Sequence, residues 1–471
     1  MRDRIVVVGA DVPSGRAVAK KLRAQRYCCT LLASGATAGE IARLGPAGVV
    51  LAGEAQDGAL LPDAGLLTLG VPVLALGSCA RALLCQLGFQ SDGDAVENAA
   101  VPVTYMKSPL FEEVAAGERW VTRAEPFAVS EPYRPIADGA EFPLAFASDA
   151  DNVFLLQFHI ERNDPDGMAM LRAFADIVCG CEPWWTVENI VADAEKAIRE
   201  AAGDGEAICA ISGGLDSTVA AMLAARALGD RVRCVFVDTG LFRRGEVEEA
   251  ERYFREELHL NFLRVDARRR ILRALAELTE ARDKWRVVEE EITAKLGEEA
   301  RGAPGVTVFV KGTQYLDVLG TERRDQVWQF PPVVEPLREL FKEEIRMIGE
   351  FLSLSPALLS RQPFPGMGLA SRIQGAVDAE RLEVLRAADT IFREVLAESG
   401  QGKRLSRYFA VLSQIDGHDA VILRATQGEE LLSAARLPHD LLERIVERIL
   451  RELPSVRRVL YDMTPGMERW G

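Results

Sequence analysis

The segment with the clearest chemical signature is a run of serines and glycines near the middle of the chain, before a predicted helix at 217–228. Glycines let a backbone approach a ligand closely, and the amides at a helix start attract anions. Hydroxyls add further donors, and Asp216 is suited to hold Mg²⁺ against phosphates. The run is not a Walker A loop, and its context favours a phosphate cradle over a simple tight turn. Its members are Ser212, Gly213, Gly214, Leu215, Asp216, Ser217 and Thr218.

A second candidate site near the N-terminus combines a thiol, an imidazole and a carboxylate. Cys79 follows a predicted strand at 71–77. His159 is the last residue of another apolar run, and Glu161 comes two residues after it. A thiolate nucleophile, a base and a residue that orients the base form the set used in nucleophilic catalysis. A buried cysteine and a core histidine are the simpler explanations for each residue alone, but the combination favours a triad-like site.

Length, charge and cysteine usage limit the class of protein. A chain of 471 residues suggests about two to four domains. The net charge of −15 argues against a nucleic acid partner. No apolar run reaches the roughly 18–20 residues of a membrane helix, and the first residues do not resemble a signal peptide. The eight cysteines are scattered and form no CxxC pair, which predicts a reduced, cytoplasmic protein without a membrane partner.

Short β-branched runs alternate with helical stretches along the first part of the chain, for example at 5–9 and 48–53, which is typical of parallel sheets. A segment rich in Gly, Pro and Trp at 179–186 marks a boundary, and a second βαβ unit follows it. Residues 266–302 are highly charged, which indicates either a solvated helical face or a mobile lid over a phosphate site. Three strand-like runs around a helix near the C-terminus predict a small α+β domain.

Several of these stretches resemble a known family. The loop at 212–218 resembles the pyrophosphate loop of the ATP pyrophosphatases. Four further stretches resemble GMP synthetases in the same order along the chain, and on them the chain is identified as a divergent member of that family. These stretches are GCEPWWTVEN (180–189), VFVDTGLFR (235–243), EPLRELFKEEIR (335–346) and PFPGMGLASRI (363–373).

The resemblance implies an α/β fold class with two parallel-sheet domains and a small α+β domain. The first, at 1–186, would be a class I glutamine amidotransferase-like domain. The second, at 187–350, would be an ATP pyrophosphatase domain similar to adenine nucleotide hydrolases. The third, at 351–471, would bind the acceptor and form a homodimer.

The resemblance also implies a ligase that adenylates xanthosine monophosphate (XMP) with ATP, which gives AMP and pyrophosphate. It would then aminate XMP with ammonia from glutamine or from solution. ATP and Mg²⁺ are the implied cofactors, and the partners are small molecules. The 212–218 loop would bind the pyrophosphate part of ATP, with Asp216 as the metal ligand. The other implied contacts are Val237, Asp238 and Thr239 beside the adenosine, and Arg372 and Lys284 at the acceptor.

The amidotransferase-like domain departs from the family around Cys79. The family has glycine two residues after the nucleophile and glutamine two residues further on, where this chain has Arg81 and Leu83. The oxyanion loop of the family appears as Gly-Glu-Ala, with the amide of Glu54 as the expected donor. The substrate loop of the family is absent from the matching stretch at 120–126. These departures predict impaired glutamine binding and leave glutaminase activity open.

The acceptor region departs as well, which leaves the acceptor open. The basic loop of the family is shortened at 321–332, where Arg323 and Arg324 are the remaining basic residues, and the C-terminal tail lacks the family's lysine. One alternative is an enzyme of the same architecture that adenylates and aminates a different acceptor. The other is a catalytically reduced regulator that binds nucleotide.

Overall fold

The computed structural model describes residues 3–54, 64–148, 152–162, 166–315, 331–359, 366–428 and 433–464. The chain divides into two compact units, Met1–Ile190 and Val191–Gly471. The three-domain division with boundaries after 186 and 350 stays a prediction. No helix in the described ranges is long and apolar enough to cross a membrane.

The first unit contains a mixed sheet of nine strands in its described residues. Five parallel strands, in the order β2-β1-β3-β4-β9, continue into four antiparallel strands, in the order β8-β7-β5-β6. The strands are β1 Ile5–Gly9, β2 Cys29–Ala33, β3 Gly48–Ala52, β4 Val73–Leu76, β5 Val96–Tyr105, β6 Gly117–Ala124, β7 Arg134–Asp138, β8 Pro143–Ser148 and β9 Val153–Leu156. The α-helices are α1 Val12–Ala24, α2 Ala38–Arg43, α3 Ser78–Gln86 and α4 Gly167–Ala173.

The parallel half of this sheet was predictable because its strands are buried on both faces. β1, β3, β4 and β9 consist entirely of buried residues, so each reads as an unbroken apolar run. The antiparallel strands β5 to β8 were not anticipated. β5, for example, is exposed or half-buried at most positions and contains Pro102, which is unfavourable in a strand interior.

The second unit begins in helix α5 (Val187–Ala202) and contains a parallel sheet in the order β12-β11-β10-β13-β14. Its strands are β10 Glu206–Ile211, β11 Val232–Asp238, β12 Phe262–Asp266, β13 Val306–Val310 and β14 Val333–Val334. The α-helices of this part are α6 Leu215–Leu228, α7 Glu246–Arg252, α8 Arg268–Leu275, α9 Ala281–Arg301, α10 Lys342–Phe351 and α11 Pro356–Leu359.

A smaller α+β part completes the second unit. Two long helices, α12 Ala379–Glu398 and α13 His439–Glu452, accompany strands β15 Arg407–Ile415, β16 His418–Gln427, β17 Ser433–Ala434 and β18 Val456–Tyr461. β16 is the central strand and pairs with the other three. One hydrophobic cluster joins this part to the parallel sheet, since it includes both Val235 and Leu423. The predicted fold class, two α/β sheets followed by a small α+β part, is confirmed.

The highly charged stretch at 266–302 forms α8 and α9. Ile271 and Leu275 of α8 and Val288 of α9 lie in the core. The charged side chains form ion pairs on the outside, for example between Arg270 and Glu298 at 2.8 Å. This arrangement is the solvated helical face that the sequence predicted as one of two alternatives.

Candidate functional site

The serine- and glycine-rich loop connects β10 to α6 at the carboxyl end of the strand. Gly213 has φ +80°, which an L side chain rarely adopts. Gly214 is the N-cap of α6 and no side chain caps this helix in the described structure. Since the first amides of a helix point outward and carry partial positive charge, this turn has the geometry of an anion site.

The hydroxyl groups of the loop hold its shape. Ser212 and Ser217 approach each other with 3.0 Å between their Oγ atoms, and the Ser217 Oγ also accepts from the Ser212 N–H at 3.1 Å. The Thr218 Oγ1 donates to the Gly214 carbonyl at 2.7 Å. The structure therefore brings these predicted residues together in a preorganised loop at the start of α6.

Lys342 is a site residue that the sequence analysis missed. It is the first residue of α10, and its Nζ forms an ion pair with the Asp216 carboxylate in the first turn of α6. The signal was present, because Lys342 belongs to the 335–346 stretch that carries the family resemblance. Gly312, two residues after β13, lies against the same region: a Cβ there would lie 2.9 Å from the backbone carbonyl of Asp216. Only glycine permits that approach.

The residues expected beside the adenosine lie at the end of β11, with Thr239 directly after it. Val237 and Asp238 are buried, and Asp238 accepts hydrogen bonds from Arg264 at 2.7 Å and from the Gly240 N–H at 3.0 Å. The Thr239 Oγ1 accepts from the Leu241 N–H at 3.2 Å. Asp238 also lines a cavity of about 360 Å³ that is rich in arginine. The arginines that line it are Arg243, Arg244, Arg264, Arg268 and Arg386.

The two predicted acceptor residues lie in the interior instead of in a binding site. Lys284 is 1% exposed, and its Nζ donates to the carbonyls of Ile373 at 2.7 Å and Gly375 at 2.5 Å. Burial, with repulsion from Arg381, lowers the pKa of Lys284 to about 8. Its amine therefore holds α9 against the 373–375 segment, and this placement does not support a contact with the acceptor.

Arg372 has a similar packing role. It is 3% exposed, its guanidinium lies over the Phe409 ring at 4.3 Å, and it faces Asp389 at 3.7 Å. Burial lowers the pKa of Arg372 to about 10. Because Asp389 also binds Arg243 at 2.9 Å, these groups form a buried polar network between α12 and its neighbours. The implied acceptor role of Arg372 is not supported by this position.

The predicted triad of the first unit is only partly assembled. His159 Nδ1 and Glu161 Oε1 are 2.6 Å apart and both side chains are buried. Cys79 does not join them in the described structure: it is 1% exposed, and its Sγ donates to the Gly53 carbonyl at 3.6 Å. Burial and nearby carboxylates raise the pKa of Cys79 to about 12. The raised pKa favours the neutral thiol, and the hydrogen bond that the structure gives its Sγ goes to a backbone carbonyl and not to His159.

A second carboxylate occupies the other face of the imidazole. His159 Nε2 lies 2.7 Å from Glu54 Oε1 and 3.1 Å from the Thr122 hydroxyl. Burial opposes the charge, but the hydrogen bonds to Glu161 and Glu54 raise the pKa of His159 to about 9. Burial also opposes ionisation of Glu54, yet hydrogen bonds to His159 and Thr122 lower its pKa to about 2. Both shifts favour a cationic imidazole that faces Glu54 on one side and Glu161 on the other.

The residues at which this chain differs from the family around Cys79 make contacts within the protein. The amide of Glu54, the expected oxyanion donor, donates to Asp11 Oδ2 at 2.8 Å. Arg81 pairs with Glu125 at 3.1 Å, and Leu83 is fully buried. The expected oxyanion donor is therefore already bonded within the protein, and Arg81 and Leu83 have contacts of their own.

Comparison with known proteins shows which families this chain resembles. The family model of the GMP synthase C terminal domain matches residues 394–467, and that of NAD synthase matches residues 186–321. The chain is 32% identical over 509 aligned residues to the GMP synthase [glutamine-hydrolyzing] of Ruminiclostridium cellulolyticum, covering 99% of both chains. It is 34% identical over 517 residues to the enzyme of the same name from Parafrankia sp., covering 99% of this chain and 96% of the other.

The sheet architecture and these matches define an ATP-dependent carbon–nitrogen ligase, with ATP as a substrate. The relatives align along the whole chain and not along one unit alone. The chain belongs to the GMP synthase family.

Proposed function

We propose that this chain adenylates XMP with ATP and then replaces the adenylate with ammonia to give GMP. The proposal extends to this chain the synthesis of GMP that the names of its relatives state. The observation that carries it is the 212–218 loop at the start of α6, with the Asp216–Lys342 ion pair at its edge. Several groups that can bind an anion converge at this loop.

In the first step the acceptor oxygen of XMP attacks the α-phosphorus of ATP. The bond from that phosphorus to the bridging oxygen breaks, and pyrophosphate leaves with the electron pair. The amides at the start of α6 and the hydroxyls of Ser212 and Ser217 bind the departing pyrophosphate, and Lys342 offsets its charge. No protein nucleophile is needed, because positioning and charge neutralisation lower the barrier.

The residues of the loop fit a Mg²⁺ ion that is bound together with ATP. Mg²⁺ is usually held by one or two carboxylates plus substrate phosphates, and Asp216 supplies one carboxylate at the right turn. The described residues contain no cluster of three or more acidic, cysteine or histidine side chains that could hold a metal alone. When bound, the ion neutralises phosphate charge, while Asp216 orients it and Lys342 contributes a second positive charge.

In the second step the lone pair of ammonia attacks the purine carbon that bears the adenylate. The carbon–nitrogen bond forms, the carbon–oxygen bond breaks, AMP leaves with the electron pair, and the nitrogen loses a proton. Val237, Asp238 and Thr239 are proposed to lie beside the adenosine, and the arginine-lined cavity next to Asp238 supplies positive charge for a phosphate. Arg372 and Lys284 are left out of this proposal because both are buried in packing contacts. A homodimer through the C-terminal part is proposed with it.

The test is release of pyrophosphate and AMP from ATP by the purified full-length protein with Mg²⁺, XMP and ammonium. We expect equal amounts of the two products, and none when XMP is omitted. Absence of turnover with XMP while ATP still binds would contradict XMP as the acceptor. Light scattering on the same preparation tests the dimer.

A further inference from the structure

The turn that should carry the catalytic nucleophile of the first unit carries a glycine. A nucleophile elbow places the reactive residue in the sharp turn between a strand and a helix. Here β4 ends at Leu76 and α3 begins at Ser78, so the turn residue is Gly77, with φ +55° and ψ −125°. No other residue in 71–87, all of which are described, has a positive φ.

The backbone at Gly77 is aimed at the histidine. A Cβ placed there would lie 2.6 Å from Cε1, 3.1 Å from Nε2 and 3.2 Å from Nδ1 of His159. A side chain at residue 77 would therefore point at the imidazole, as a nucleophile must. The ring instead lies in the space that such a side chain would fill.

Cys79 cannot take over from this position. It lies two residues further on in α3, about 200° around the helix axis from residue 77. Its Sγ faces the Gly53 carbonyl and it packs within the hydrophobic cluster of the first unit, with Ala75 and Leu83. The described hydrogen bonds and ion pairs of the His159 side chain go to Thr122, Glu54 and Glu161, and none goes to a cysteine.

The two other groups that glutamine hydrolysis would need, a base and an oxyanion donor, are also engaged in contacts within the protein. The imidazole has a carboxylate beside each nitrogen, Glu161 at 2.6 Å from Nδ1 and Glu54 at 2.7 Å from Nε2, which favours the doubly protonated form, and that form is not a base. The amide of Glu54, where an oxyanion would form, is bonded to Asp11. Nucleophile, base and oxyanion donor are thus lost together.

We propose that this protein does not hydrolyse glutamine and that its nitrogen donor is ammonia taken from solution. The first unit keeps the elbow backbone as a structural element only. This inference rests on the proposed amination for its choice of donor, but the loss of the glutaminase stands on the first unit alone. The reaction class that must supply this enzyme is one that releases free ammonia.

The experiment uses the full-length protein with ATP, Mg²⁺ and XMP, and compares glutamine with ammonium as the nitrogen source. We expect pyrophosphate release with ammonium, and none above the no-donor background with glutamine. Glutamate formed from glutamine is measured in the same samples and in samples without XMP, and we expect no glutamate above the protein-free background. Cys79→Ala should match the wild type in every arm.

The outcomes separate the two proposals. Glutamate formation by the wild type overturns this inference, and its loss in Cys79→Ala would make Cys79 the nucleophile. Absence of pyrophosphate with ammonium overturns the proposed function, but the glutamate assay still decides the state of the first unit.

Alkylation provides a measurement that needs no turnover. The native protein is treated with iodoacetamide at neutral pH, and the modified cysteines are identified by peptide mass spectrometry. Exposed Cys85, on the same helix, is the internal reference. We expect Cys85 to be modified well before Cys79, because the latter is a buried neutral thiol. Faster modification of Cys79 than of Cys85 would overturn the inference.

Discussion

Two segments of this molecule share one backbone design and differ in what it holds. In both, a parallel strand ends in a turn that contains a glycine with positive φ, Gly77 or Gly213, and a helix begins at once. At the second turn hydroxyls, Asp216 and Lys342 converge. At the first turn the residue that faces His159 is Gly77, which has no side chain, and the imidazole lies between the carboxyl groups of Glu54 and Glu161. The same strand–turn–helix backbone can therefore be present without the side chains that would make it a reactive site.

The reason is that folding and catalysis use different parts of the element. β4 and α3 are held by buried side chains such as Leu74 and Leu84, which do not depend on the turn residue. Glu54, His159 and Glu161, of which Glu54 is only half-buried, form a set of paired charges and not a catalytic site. Breaking such a set by removing one partner is strongly destabilising, whereas an intact set is nearly neutral. The comparison predicts opposite responses of the two turns to mutation.

The largest effect is expected at the second turn. Asp216→Ala removes the proposed metal ligand and the partner of Lys342, and we expect pyrophosphate release with ammonium to fall by about three orders of magnitude. Asp216→Asn is the matched control for size, and it should be nearly as inactive because it lacks the charge. Normal turnover in either variant would contradict the assignment of the loop.

At the first turn the expected effect is on stability and not on activity. Gly77→Ala forces an L residue to φ +55° and places a Cβ 2.6 Å from His159, which together cost about 2–4 kcal/mol of unfolding free energy. Gly88→Ala is the control, since Gly88 also has positive φ, +89°, but a Cβ there meets nothing within 4 Å. Chemical denaturation measures both. Equal losses in the two variants would show that the imidazole does not fill the elbow.

Lys342→Ala sharpens the role of the ion pair beside Asp216. Loss of one positive charge near the proposed pyrophosphate should raise the KM for ATP by about tenfold, with a smaller change in kcat. Lys342→Arg keeps the charge and should recover most of the affinity. A KM for ATP that is unchanged in Lys342→Ala would place ATP elsewhere.

The last expected effect is a pH dependence that originates in the first unit. The pKa of His159 is raised to about 9 from 6.5, so its stabilisation is complete below about pH 6.5 and is lost as the pH rises through 9. Glu54, Glu161, Arg162 and Thr122 are the groups that face it. We expect the wild type to lose up to about 3 kcal/mol over this range, as measured by unfolding at pH 6.5 and pH 9.5. His159→Gln should have a flatter profile, and an identical slope would contradict the imidazolium assignment.

The sequence was sufficient for the fold class and for the position of the 212–218 loop between a strand and a helix, and insufficient for the elbow. Buried strands such as β1 and helices such as α5 follow from their apolar patterns, and the 212–218 loop follows from residue types that few other sites combine. The position of a turn between strand and helix is less certain from sequence, because element ends are set by local hydrogen bonds. The sequence predicted that Cys79 would occupy the turn, but the turn lies two residues earlier, at Gly77.

The charged residues show a second limit. Lys284 and Arg372 are long, cationic side chains, and sequence alone favours exposed or ligand-binding roles for them. Only the packed structure shows that their heads are enclosed by carbonyls in one case and by Phe409 and Asp389 in the other. Lys342 was overlooked because its partner, Asp216, is distant in sequence, so that only the folded structure brings the two charges together.

The central claim is that one turn is chemically active and the other is not, and isotope competition tests it most directly. The protein is given ATP, Mg²⁺ and XMP with equal concentrations of unlabelled ammonium and glutamine carrying ¹⁵N in its amide, and the product is analysed by mass spectrometry. The account predicts a product that carries unlabelled nitrogen only. A product enriched in ¹⁵N, with no labelled ammonia released beforehand in enzyme-free controls, would contradict it.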